Sequence, residues 1–104
     1  MADIIHLTTA AFDQTTANGT WLIDFWATWC GPCRIQAKLL DDGAEALAAT
    51  GARIAKVNID DEAALAMRFS ILSIPTLLIM KDGKVVRQFV GVQQLNTLLD
   101  ALKS

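Results

Sequence analysis

Apolar positions along this chain come in short blocks divided by glycine, proline or polar breaks, and the spacing within each block predicts its element. Ile4–Leu7 reads as a short strand. Thr8 or Thr9 is then placed to cap a helix reaching about Ala17, with Asn18-Gly19 as its stop. Trp21–Ala27 is apolar on both alternating faces, the pattern of a central strand covered by helices on each side. Pro32 suits the first turn of a helix, where its missing N–H costs nothing. Helical spacing continues from there through Ile35, Leu39, Leu40 and Leu47 toward Thr50-Gly51, weakened at Gly43 by roughly 1 kcal/mol relative to alanine.

Arg53–Ile59 makes another buried strand, and Asp60 or Asp61 is placed to cap a short helix containing Ala64, Leu65 and Phe69. Pro75 opens a strand at Thr76–Met80. Asp82-Gly83 is the pair favoured in a type I′ hairpin, which returns the chain antiparallel as Val85–Val90. Gly91 breaks that strand, and Leu95, Leu98, Leu99 and Leu102 give a closing amphipathic helix with Lys103 at its negative end. The order β-α-β-α-β-α-β-β-α predicts an α/β fold whose sheet has a parallel portion and an antiparallel edge.

Chemistry enters at residues 29–33, Trp-Cys-Gly-Pro-Cys, where Cys30 and Cys33 are the only cysteines. Two thiols three positions apart at a strand-to-helix junction can close into a disulfide and open again. The helix N-terminus offers free amides and the positive end of the macrodipole, which stabilise a thiolate, the nucleophilic form. Position assigns the roles. Cys30, nearest the helix mouth, is expected to be exposed and to attack a substrate disulfide. Cys33, one turn in, is expected to be shielded and to resolve the mixed disulfide. Gly31 and Pro32 set the turn between them.

Composition narrows the alternatives. A chain of 104 residues, 53% hydrophobic and 19% charged, reads as one packed domain over residues 1–104, with no repeat, low-complexity tract or linker. A net charge of −2 without a basic cluster argues against nucleic acid as a partner. No apolar run approaches the roughly 18 residues of a membrane span. The N-terminus shows neither a basic n-region nor a cleavage site, so a cytoplasmic location is expected, where a lone cysteine pair is catalytic or metal-binding rather than structural. A structural zinc site needs about four ligands, and two cysteines with a distant His6 do not supply them within one chain. A purely structural disulfide closing so small a loop would constrain the unfolded chain little. Redox catalysis is the reading that remains.

Asp24 interrupts the apolar strand a few residues before Cys30. Burial there should raise its pKa and make it competent to exchange protons near neutrality; the alternative is a strand-end carboxylate that reaches solvent. Lys56, in the next strand, either pairs with Asp24 or snorkels to the sheet edge. Trp29 is expected at the rim of the site, Trp26 packed below it and Trp21 in the core, with Met67 and Met80 as core gap-fillers. His6 reads as a strand-edge residue, Asp41-Asp42 as a solvated helix face and Asp60-Asp61-Glu62 as a helix N-cap.

The chain resembles the thioredoxin family from about Asp3 to Lys103. The resemblance rests on the run from Asp24 through Trp29-Cys30-Gly31-Pro32-Cys33, on Ala55-Lys-Val-Asn-Ile-Asp60, Ile74-Pro75-Thr76, Asp82-Gly83 and Val90-Gly91. It implies the thioredoxin fold, a central mixed sheet flanked by helices, and reduction of protein disulfides through Cys30 and Cys33. It also implies no bound cofactor, since electrons come from NADPH through a flavoprotein thioredoxin reductase, and a monomer. On this resemblance Asp24 is the base for the resolving thiol, acting through water, and Lys56 moderates it. Pro75 is cis, lies against the cysteines and leaves backbone groups of Ile74 to pair with an extended substrate. Trp29, Gly31, Pro32, Ser73, Ile74, Pro75 and Gly91 form the substrate-binding rim. Gly31-Pro32 resembles the reducing members rather than oxidants or isomerases. Three features depart from the family pattern: Lys38 replaces a usual proline, Ser73 a frequent glycine, and the connection after Gly91 is short. A binding subunit that docks a partner through the rim around Trp29, Ile74 and Gly91 is the competing function of another class.

Overall fold

The element order expected from the spacing is the one observed: β1 (Ile4–His6), α1 (Phe12–Thr16), β2 (Thr20–Trp26), α2 (Gly31–Ala48), β3 (Arg53–Asn58), α3 (Ala63–Arg68), β4 (Thr76–Lys81), β5 (Lys84–Val90) and α4 (Leu95–Lys103). The computed structural model describes residues 2–103. The strands form one sheet in the order β1-β3-β2-β4-β5, with β1, β3 and β2 parallel and β4 and β5 antiparallel to their neighbours. β2 is central, as its two apolar faces require. Leu22 packs with Leu40 and Leu47 of α2, Ile54, Leu77 and Leu98 of α4. Trp21, Ile23 and Phe25 point the other way, toward Phe12 of α1 and Leu65 of α3. Because side chains alternate along a strand, Asp24 shares the α2 face with Leu22.

The hairpin after β4 has the expected geometry. Asp82 (φ 50°) and Gly83 (φ 82°) both occupy the left-handed region that a type I′ turn demands. The turn is tied to the residue before β2 by reciprocal bonds: Asp82 N–H donates to the Gly19 carbonyl at 2.9 Å, and Gly19 N–H donates to Asp82 Oδ1 at 2.8 Å.

Four local expectations are corrected. α1 starts at Phe12, not after Thr8 or Thr9: Thr8 closes the turn that precedes the helix, Thr9 is drawn to Glu62, and Ala11 stands before α1 without a side-chain cap. Thr8 Oγ1 accepts the Ala11 N–H, and Thr9 donates its N–H and hydroxyl to Glu62 Oε1 at 2.7 and 3.0 Å. α3 starts at Ala63 with Glu62 before it, so neither Asp60 nor Asp61 stands at the cap position; their amides instead donate to Asn58 Oδ1 in the turn that leads in. Phe69 lies just past α3 but still packs on Phe12 and Phe25. Met67 is 80% exposed rather than in the core. On so short a helix Leu65 takes the inward face, and a residue two positions on points roughly 200° away from it.

Candidate functional site

The site is assembled where β2 ends and α2 begins. Cys30 is the residue before α2, with extended backbone (φ −98°, ψ 111°), and its Sγ accepts the Cys33 N–H at 3.2 Å. The sulfur therefore does the work of a helix-capping side chain, and the same amide and helix end favour negative charge on it once the disulfide opens. Pro32 occupies the first turn of α2, as expected. Cys30 and Cys33 are joined as a disulfide with their Cα atoms 5.2 Å apart. Cys30 does not show the exposure expected of an attacking residue: it is 5% exposed against 3% for Cys33. Trp26, Ile59 and Ile74 pack around the bonded pair and leave only a small face of it open.

Ile74 reaches the cysteines through the loop before β4, where the Ile74–Pro75 bond is cis. Cys30 Sγ lies 3.8 Å from the Ile74 carbonyl oxygen. The Ser73 carbonyl accepts the Thr76 hydroxyl, and the Pro75 carbonyl accepts the Gly91 N–H at 2.8 Å. Gly91 has φ +90° and open space where a Cβ would stand, so backbone conformation rather than crowding favours glycine there. Trp29 is 66% exposed at the rim, and its Nε1 donates to Asp60 Oδ2 at 2.9 Å. Asp60 thus orients the rim indole instead of capping α3.

Asp24, in β2, is fully buried, and neither carboxylate oxygen has a hydrogen-bond partner among the described residues. Loss of solvent raises its pKa from 3.8 to about 7, with the Lys56 ammonium pulling in the opposite direction. Register places Asp24 directly beside Lys56 across β2 and β3. The two do not meet as a contact pair; the Lys56 ammonium lies 5.0 Å from the centroid of the Trp26 ring. A pocket of about 250 Å³ lined by Trp26, Ala27, Thr28, Cys33, Arg34, Ala37 and Lys56 lies between α2 and the sheet, so Cys33 of α2 and Lys56 of β3 border the same space. His6 also meets Trp26, edge to face with ring centroids 6.5 Å apart.

One buried residue at the site escaped the sequence reading. Gln36, one turn after Cys33, is buried and bonded to the backbone of Gln93. Its signal was readable, since Cys33, Gln36, Leu40 and Leu47 repeat at helical spacing and place a polar side chain on the buried stripe. Lys38, on the opposite side, extends to Asp42 at 3.0 Å in solvent, and α2 runs through it without a break. Among the described residues no three His, Cys, Asp or Glu side chains converge on a metal-sized site.

A disulfide at a helix start, a cis-proline loop against it and a buried carboxyl in the strand that leads into it define a dithiol–disulfide oxidoreductase. Comparison with known proteins gives the lineage. The thioredoxin family model matches residues 3–104, and the chain belongs to the thioredoxin family. It is 39% identical over 99 residues to the thioredoxin of Staphylococcus aureus strain Mu50, an alignment covering 95% of this chain and 94% of that one. Among solved structures it is similar to a mutant thioredoxin from Halobacterium salinarum, with a TM-score of 0.86, 32% identity and coverage of 97% of this chain and 88% of the other. It is also similar to the thioredoxin of Malassezia sympodialis, with a TM-score of 0.90, 25% identity and coverage of 100% and 94%. The protein is accordingly a disulfide oxidoreductase whose redox-active dithiol is Cys30 and Cys33, and recycling by thioredoxin reductase is typical of its family.

Proposed function

We propose that residues 1–104 act as one monomeric domain that reduces disulfides of other proteins in the cytoplasm. The observation that carries the reading is the Cys30–Cys33 disulfide at the mouth of α2, faced by the Ile74–Pro75 loop. In the reduced enzyme the Cys30 thiolate attacks one sulfur of a substrate disulfide. That bond breaks, a mixed disulfide forms, and the departing substrate sulfur takes a proton from solvent. Asp24 then accepts the Cys33 proton through water, and the Cys33 thiolate attacks Cys30. The second substrate sulfur leaves as a thiolate and takes up a proton from solvent, and two electrons have passed from the dithiol to the substrate. A carboxyl with a pKa of about 7 suits this duty, because it can both take and return a proton near neutrality. Lys56 keeps that value from rising further.

Trp29, Gly31, Pro32, Ser73, Ile74, Pro75 and Gly91 form the surface that receives substrate, with Ile74 offering backbone to an extended peptide. A flavoprotein thioredoxin reductase, drawing on NADPH, returns the pair to the dithiol, and the chain itself holds no cofactor. No helix among the described residues is long and apolar enough to cross a membrane, and a reducing compartment is where such a pair works as a reductant. The exposed Trp29 indole also supports a second use of the rim, docking a partner without redox exchange. Equilibrating the pair against a glutathione or dithiothreitol buffer tests the reductase reading. A strongly reducing potential is expected, and a potential near those of dithiol oxidants would overturn it. The variant with both cysteines changed to serine separates docking from catalysis by whether the biological role survives.

A further inference from the structure

The side chain of Gln36 is wholly enclosed, and an enclosed amide is tolerated only where its hydrogen bonds are made. Both ends find partners on a single residue far along the chain. Gln36 Oε1 accepts the Gln93 N–H at 2.6 Å, and Gln36 Nε2 donates to the Gln93 carbonyl at 3.1 Å. The residue so gripped belongs to the short connection between β5 and α4, which carries no regular structure of its own. Gln93 in turn closes that connection, its Nε2 donating to the carbonyls of Val90 at 3.3 Å and Gly91 at 3.1 Å. Gly91 completes the chain of contacts by donating its N–H to the Pro75 carbonyl. A second close approach seats the start of α4, directly after that connection, on α2: a Cβ at Gly43 would stand 2.6 Å from Leu95 Cδ1. The helix that carries the dithiol therefore grips the segment that borders Pro75.

We propose that Gln36 is a positioning residue that holds the Val90–Gln93 segment against Pro75 and so presets the rim for protein substrates. The proposal rests on the reductase reading above and deepens it by assigning a determinant of substrate affinity. An extended peptide needs the rim at Ile74 and Gly91 to be in place before it binds, and ordering a loose segment at that moment lowers affinity. A small disulfide that reaches the sulfurs alone does not need the rim.

The test is Gln36→Leu, which keeps the bulk and removes both bonds, assayed with a protein disulfide and with a small aromatic disulfide. With the protein substrate KM is expected to rise about ten-fold while kcat stays within about two-fold, a shift of the size that loss of one or two buried hydrogen bonds gives. Reaction with the small disulfide and the reduction potential are expected to stay at wild-type values. Amide exchange supplies a readout independent of turnover: the Gln93 and Gly91 N–H groups should lose protection while the strand amides keep theirs. Gln93→Ala, which leaves the core intact, should raise KM in the same direction by about three-fold, and it carries the test if Gln36→Leu does not fold. Wild-type KM with unchanged Gly91 exchange in either folded variant overturns the proposal, as does an equal loss with both substrates. A wild-type chain inert toward both substrates instead overturns the reductase reading and the substrate half of the proposal, while amide exchange still decides whether Gln36 holds the segment.

Discussion

The two sulfurs of the pair sit in unequal surroundings although their exposure is nearly the same. Cys30 Sγ takes the Cys33 N–H and faces the Ile74 carbonyl, whereas Cys33 lines an open pocket with Lys56. That asymmetry supports attack by Cys30 and resolution by Cys33. Cys30→Ser is expected to abolish reduction of a protein disulfide, and Cys33→Ser to stall as a covalent mixed disulfide seen by mass; an adduct on Cys30→Ser alone would reverse the roles. The indoles differ in the same local way. Trp26 packs on the disulfide, whereas Trp29 stands in solvent at the rim. Disulfides in contact with indoles quench their emission, so reduction should brighten tryptophan fluorescence. Trp26→Phe should remove most of that change and Trp29→Phe should leave most of it. Equal emission from the two redox states of the unaltered protein would contradict the packing.

At the scale of elements, the close approach of α4 to α2 at Gly43 sets a helix-propensity gain against a steric loss. Alanine at that position favours α2 by about 1 kcal/mol, but its Cβ would press Leu95 Cδ1. Leu95 ends in a rotatable group and can yield, so Gly43→Ala should change stability by less than the propensity gain, while Gly43→Val should destabilise by about 1–3 kcal/mol through overpacking. Denaturant midpoints of both variants, alone and with Leu95→Ala, measure the coupling; a Gly43→Val protein as stable as wild type would mean that the helices stand further apart. The sequence showed Gly43 only as a flaw in a helix, because what occupies its missing side chain arrives from residue 95. The same limit explains the misplaced starts of α1 and α3. Strands and the long helix announce themselves by periodicity within a few residues, as Trp21–Ala27 did. The short helices start where side chains outside them allow, through Glu62 reaching Thr9 from far along the chain and Asn58 holding the Asp60 amide two residues on. The chemical centre was legible because Cys30, Cys33 and Asp24 lie within ten residues of one another and Asp24 breaks an apolar run. Gln36 and Asp60 act on groups far along the chain, at Gln93 and Trp29, and their roles emerge only from the fold.

Over the whole molecule, the buried carboxyl makes stability depend on pH. Asp24 has a pKa of about 7 when folded and 3.8 as an ordinary carboxyl, so the folded protein holds that proton more tightly than the unfolded chain does. The contribution of the protonated group is complete below pH 3.8 and is lost as pH rises through about 7, above which both states are ionised and the loss is constant. At about 1.4 kcal/mol for each pH unit, the loss is on the order of 4 kcal/mol. That is a large share of the 5–15 kcal/mol, roughly, that holds a domain of this size together. Asp24→Asn removes the titration and leaves a neutral amide in the same enclosed place. Its stability relative to wild type is expected to climb between pH 4 and 7 and to level off by about pH 8, and denaturant unfolding of the oxidised proteins across that range measures the difference. The same variant should slow the resolving step by depriving Cys33 of its proton acceptor, so that mixed disulfide accumulates during turnover. A mutant advantage that is flat with pH would mean that solvent or Lys56 already compensates the carboxylate, and the physical basis for assigning Asp24 as the base would be gone.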